Sequence, residues 1–139
     1  MYQTFAAPIE QVWEAFNDHA SLGKIMGQAM ERVKDSTDPT NINGVNSTRL
    51  IKVPLLPFEE TIRKSEKPNL IEYQISKGTP LSHHYGVMRF SSLPDGGAAI
   101  DYSIEIGSKI PLLGGIVSKG LEKAISGSLR HYAKRLAGK

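Results

Sequence analysis

The sequence predicts an α+β fold in which a curved antiparallel sheet of about seven strands wraps around one long C-terminal helix, with two short helices after the first strand. Three observations predict it. Apolar residues keep helical spacing just after the N-terminus, change to period two from residue 28 to about 107, and return to helical spacing for the rest of the chain. Turn-forming stretches interrupt the middle region at "DSTDPTNINGVN", "KVPLLP", "EKPN", "SKGTP" and "LPDGG". The strands so separated are largely hairpin-connected, and such a sheet must bury one face under the only predicted element long enough to cover it, the last helix.

Met1–Ala6 alternates and forms the first strand. Pro8 suits the first helical position, Glu10 sits in the first turn, and Ile9, Val12, Trp13 and Phe16 recur at helical spacing. Asn17-Asp18 supplies the cap of a second short helix, about His19 to Met26. Strands follow at about 28–36, 45–53, 58–66, 69–77, 81–93 and 98–107. "PDGG" joins the last two as a hairpin, since its glycines accept the positive φ of a tight turn.

The closing helix is expected over about 116–137, with Val117, Leu121, Ala124, Ile125, Ser128, Tyr132 and Leu136 on one stripe. Gly120 and Gly127 lie at the edge of that stripe, where each costs ~1 kcal/mol relative to alanine. They either permit close packing on the sheet or leave room for something else.

A chain of 139 residues is expected to form one domain, 1–139, with a core of its own. With 40% hydrophobic and 22% charged residues it has neither a disordered nor a fibrous composition. No apolar run approaches the ~18 residues of a membrane span, and "MYQTFAAPIEQVWEAF" lacks the basic and apolar regions of a secretory signal. A cytoplasmic location is the expectation.

The absence of cysteine excludes disulfides, thiolate nucleophiles and most structural zinc sites. The net charge of +3 is modest, and Lys119, Lys123, Arg130, Lys134 and Arg135 fall where a solvated helix face would put them. No aromatic residues interleave with them for base stacking, so a nucleic-acid partner is not expected.

Successive strand residues point to opposite faces, so the adjacent His83 and His84 part company. Placing Met88 and Phe90 in the core sends His84 and Gly86 inward too, with His83, Tyr85, Val87 and Arg89 outward. The same alternation turns Ile71, Tyr73 and Ile75 inward, as it does Ile100, Tyr102, Ile104 and Ile106. Buried tyrosine hydroxyls then need partners. If Val45, Ser47, Arg49 and Ile51 face in, an arginine enters the interior and Glu60 can supply its counter-charge. Arg49 and Glu60 form either a surface salt bridge or a buried network with His84.

In order and spacing the chain resembles the helix-grip families: the Bet v 1-like, START-like and polyketide cyclase/dehydrase-like domains of the SRPBCC superfamily. The likeness rests on "APIEQVWEAFNDHASL", "NGVNSTRL", "EETIRKSEKPNLIEYQISKGTPLSHHYGVMRF", "PDGGAAIDYSIEI" and the "IPLLGG" entry to the long helix. It looks most like the uncharacterised bacterial-type members. The resemblance implies a cavity for lipids, sterols, polyketides, hormones or other apolar small molecules, and a histidine at the place of His84. A minority of members are cyclases or dehydratases. The Lys77-Gly78-Thr79-Pro80 loop resembles gates over the cavity of hormone-binding members, or is an ordinary turn. Ile110-Pro111-Leu112-Leu113 forms the other lip or packs as the helix's entry.

The expected function is therefore binding of a small hydrophobic or amphipathic molecule between sheet and helix. Arg49, Glu60, Tyr73, His84 and Tyr102 are the expected polar contacts, and Met26, Phe58, Met88 and Tyr132 the apolar wall. No metal is expected, because no His-x-Glu or His-Glu-x-x-His spacing occurs. No cofactor is expected either: "GIVSKG" is followed by Leu121-Glu122 rather than the Lys-Ser/Thr of a phosphate loop, and neither G-x-S-x-G nor G-x-G-x-x-G occurs. Two alternatives stand beside binding. One is a cyclase- or dehydratase-like enzyme using His84 with Tyr73, Tyr102 or Glu60; the other is a scaffold that chaperones a lipid or quinone.

Overall fold

Pro8, in extended conformation, is the N-cap of the first helix rather than its first residue, and Asp18 serves two helices at once. Its N–H donates to the Glu14 carbonyl to close the first, and its carboxylate accepts from the Ser21 N–H at 2.9 Å to open the second. Gly27, in the left-handed region at φ 70°, ends that second helix. The computed structural model describes residues 1–78, 83–107 and 113–138. The elements are β1 (Tyr2–Phe5), α1 (Ile9–Asn17), α2 (His19–Met26), β2 (Met30–Lys34), β3 (Thr48–Ile51), β4 (Phe58–Glu66), β5 (Leu70–Lys77), β6 (His83–Ser92), β7 (Ala98–Gly107) and α3 (Leu113–Leu136).

The seven strands form one antiparallel sheet in the order β1-β7-β6-β5-β4-β3-β2, with α3 as the long helix of a helix-grip fold. Five of the six pairings join neighbours in sequence; β1 alone pairs out of order, on β7, with Phe5 opposite Ala98. The expected β2 and β3 are shortened. Asn46 takes a left-handed φ of 69°, and the bonds Ser47 N–H to Gly44 C=O and Thr37 N–H to Val45 C=O hold the residues before β3 in turns. The Thr79–Pro80 half of the gate-like loop and Ile110-Pro111-Leu112 lie outside the described residues.

The core gathers at one end of the space between sheet and helices. Val12, Trp13 and Phe16 of α1 meet Phe5, Met88, Phe90 and Ile100 of the sheet and Leu129 and Tyr132 of α3. The Phe16 ring lies 5.5 Å from Phe90, 6.0 Å from Tyr132 and 6.1 Å from Phe5, centroid to centroid, which is edge-to-face packing distance. Met88 and Tyr132, expected in a ligand-facing wall, belong to this packed core instead. Alternation and helical stripe had their faces right, but both residues sit where the aromatic rings already fill the interior.

The opposite face of the sheet is polar and internally bonded. Thr48, Thr61 and Ser76 join their hydroxyls across β3, β4 and β5 at 3.0 and 2.9 Å, and the Tyr85 hydroxyl donates to Glu72 at 2.8 Å. Lys119, Lys123, Arg130, Lys134 and Arg135 are exposed along α3. No helix of the described residues is long and apolar enough to cross a membrane.

Candidate functional site

Beyond the packed core, between β3–β7 and the middle turns of α3, lies a cavity of about 250 Å³. Helical spacing brings Leu121, Ala124, Ile125 and Ser128 to its roof, and α2 adds Leu22 and Met26. Alanine and serine on an otherwise apolar stripe are what leave the volume open. Met30, Ile51, Val53 and Phe58 complete the apolar part of the lining, and Gln28, whose side-chain N–H donates to the Lys52 carbonyl at 2.8 Å, adds a polar edge.

The polar floor comes from strand register. Arg49 and Glu60 are direct partners across β3 and β4, and both side chains point inward. Both are buried, Arg49 at 1% and Glu60 at 6% exposure, so the surface salt bridge is corrected to an interior one. Nε and Nη2 of Arg49 each donate to Glu60 Oε1 at 2.8 Å. The pairing of β4 with β5 shifts register between Glu59 and Glu60, beside this carboxylate, a common place for irregularity.

The third member of the network is His19, not His84. Arg49 Nη1 stands 3.4 Å from His19 Nδ1, and His19 Nε2 stands 3.0 Å from Ser47 Oγ. A guanidinium can only donate, so Nδ1 is the acceptor and Nε2–H donates to the serine. Burial, then the charges of Arg49 and Arg32, pull the His19 pKa down to about 3, so the ring is neutral. The His19 and Ser47 contribution escaped sequence reasoning; Ser47's inward place beside Arg49 was its only sequence signal.

Tyr73 and Tyr102 satisfy one another through their hydroxyls. Tyr73 reaches that position by lying across Gly86, its partner on β6: a Cβ there would stand 2.2 Å from Tyr73 Cζ. The Arg49 guanidinium carbon lies 5.0 Å from the centroid of the same ring, a cation–π arrangement. Burial first, then Tyr102 and Glu60, raises the Tyr73 pKa well above that of a free phenol; burial and then Glu60 raise that of Tyr102. Both stay protonated. One hydroxyl proton joins the pair, and the other is left to donate elsewhere.

His84 is the unsatisfied group. It is 7% exposed and faces the cavity, with its ring 5.9 Å from that of Tyr73, and among the described residues neither Nδ1 nor Nε2 has a hydrogen-bond partner. Burial lowers its pKa against the opposing pull of Glu60, so it too is neutral, with one N–H and one lone pair unused. Buried polar atoms of folded proteins are nearly always bonded, and an orphan costs about 1–3 kcal/mol. His83, one residue away, is exposed and faces the opposite side.

Of the expected site residues, Arg49, Glu60, Tyr73, His84, Tyr102, Met26 and Phe58 thus share one cavity, whereas Met88 and Tyr132 do not reach it. The sequence model of the family described as polyketide cyclase/dehydrase and lipid transport matches residues 2–139. The chain belongs to this family. No curated protein matches it by sequence. Among solved structures, a START superfamily protein from Mycobacterium smegmatis superposes with a TM-score of 0.79 at 11% identity, covering 98% of this chain and 96% of that one. XoxI from Bacillus cereus gives 0.76 at 11% identity, with 99% and 93% covered. Ara h 8.0201 gives 0.73 at 17% identity, with 100% and 96% covered. At these identities the likeness is one of fold, and it confirms the helix-grip architecture of this family member.

Proposed function

We propose that this family member binds a small amphipathic molecule in the cavity between the sheet and the middle turns of α3, the apolar body against Met26, Met30, Phe58 and Leu121 and an oxygen against His84. The unpartnered His84 imidazole carries the proposal. A cavity of apolar walls with a few convergent polar groups is the usual form of a small-molecule site, and here one of those groups still lacks its partner. Size supports a compact guest. An engineered cavity of ~150 Å³ accommodates benzene, so about 250 Å³ suits a guest of about ten non-hydrogen atoms. Open volume also favours a container over a scaffold, for which a filled interior is expected.

Native mass spectrometry of the protein from its own cells tests the reading, with Ala124→Phe as the blocked control. An added small-molecule mass that the variant lacks is the expected result; identical spectra with no added mass would overturn it. A second reading, proton transfer of the cyclase or dehydratase kind, is favoured by the neutral His84 beside a protonated tyrosine pair. It predicts that the captured molecule leaves the protein chemically changed and that His84→Ala abolishes the change.

A further inference from the structure

We infer that the cavity selects a guest whose buried polar group is an uncharged oxygen, a hydroxyl or a ketone, and rejects the carboxylate of the same skeleton. This rests on the binding reading above and sharpens it. Arg49 is the only cationic side chain among the described residues that line the cavity, and its charge is already used. Two of its nitrogens hold Glu60 at 2.8 Å, the third faces His19, and its central carbon lies over the Tyr73 ring at 5.0 Å from the centroid. Cation and carboxylate cancel inside the same wall.

A guest carboxylate would therefore leave water for a place that holds a buried anion and no free cation, a costly transfer. The groups still seeking partners are neutral. They are the N–H and lone pair of His84 and the one hydroxyl proton that Tyr73 and Tyr102 do not exchange between themselves. A hydroxyl can meet both kinds, donating to a ring nitrogen and accepting from a phenol. A ketone can accept from either donor.

Three probes of one skeleton test this by isothermal titration at neutral pH: naphthalene, 2-naphthol and 2-naphthoate. The naphthol should bind more tightly than naphthalene, and at least about tenfold more tightly than the naphthoate. Glu60→Gln frees the Arg49 charge, so in that variant the naphthoate should gain at least about tenfold and the preference for the naphthol should shrink or reverse. Naphthoate equal to or tighter than naphthol on the unaltered protein overturns the inference while leaving the container intact. Binding by none of the three removes the container and the inference together. An unchanged preference in a folded Glu60→Gln variant rejects charge cancellation as the cause; if that variant does not fold, the three-probe series on the unaltered protein decides alone.

Discussion

Over its last two turns α3 lies against aromatic rings, and over its middle turns it lies against open volume. At the first place Tyr132 meets Phe5 and Phe16 at centroid distances of 5.5 and 6.0 Å, and Leu129 is buried with them. At the second, Leu121, Ala124 and Ser128 face Arg49, Glu60, Tyr73 and His84 across about 250 Å³. One apolar stripe serves both, and the difference is side-chain size. The packed end has no orphaned polar atom among the described residues, while the hollow end keeps two on one ring. Stability is thus concentrated at one end of the helix and binding capacity at the other.

The comparison can be broken most forcefully at the packed end. Phe16, with no exposed surface, packs against the rings of Phe5, Phe90 and Tyr132, and Phe16→Ala should cost about 3–5 kcal/mol in urea unfolding. A loss under 1 kcal/mol would mean that this end is not the stabilising one.

Acid should act next, through the hollow end. Folded His19 binds its proton more weakly than the unfolded chain does, so its contribution is complete above an unfolded pKa of 6.5 and is lost as pH falls towards about 3. Between pH 7 and pH 4 the loss should reach about 3 kcal/mol, and His19→Gln should remove that part of the slope. Equal slopes in both proteins would place the acid sensitivity elsewhere.

At the same end, His84→Leu should stabilise the unliganded fold by about 1–2 kcal/mol, because it removes two orphaned atoms without opening a void. Thermal unfolding without added ligand reads this, and a lower melting temperature would mean that the imidazole has a partner. Gly127→Ala gives the smallest effect. A Cβ there meets only Arg130 Nη2, at 3.8 Å, so a gain of about 0.5–1 kcal/mol from helix propensity is expected in the same assay.

Neither that glycine nor Gly120 allows close packing on the sheet; a Cβ on Gly120 would meet nothing within 4 Å. Gly120 is exposed and neither glycine lines the cavity, so the structure fits neither of the two readings open at the sequence level. Much of the fold was legible because alternation and turn chemistry are local: the bounds expected for α2, β4 and β7 are those observed. β2 and β3 were overestimated because the turns before β3 are fixed by contacts between residues several positions apart.

The site shows the same division. Alternation says which face of a strand Arg49, Tyr73 and His84 occupy, and cross-strand register brings them together. It does not say how far along the sheet a residue lies. Met88, two residues beyond Gly86, therefore passed for cavity wall, and Tyr132, one turn beyond Ser128, did likewise on the helix. His19 was out of reach because its partners, Arg49 of β3 and Ser47 just before it, come from the far side of a long loop.

The pairing of β1 with β7 carries a kinetic consequence. Strands β2 to β7 can zip up hairpin by hairpin as they emerge, but β1, made before them, has no neighbour until the last strand exists. Its docking is then a late event on the route to the native state. Weakening that seam, for instance at Phe5, should quicken unfolding far more than it slows refolding.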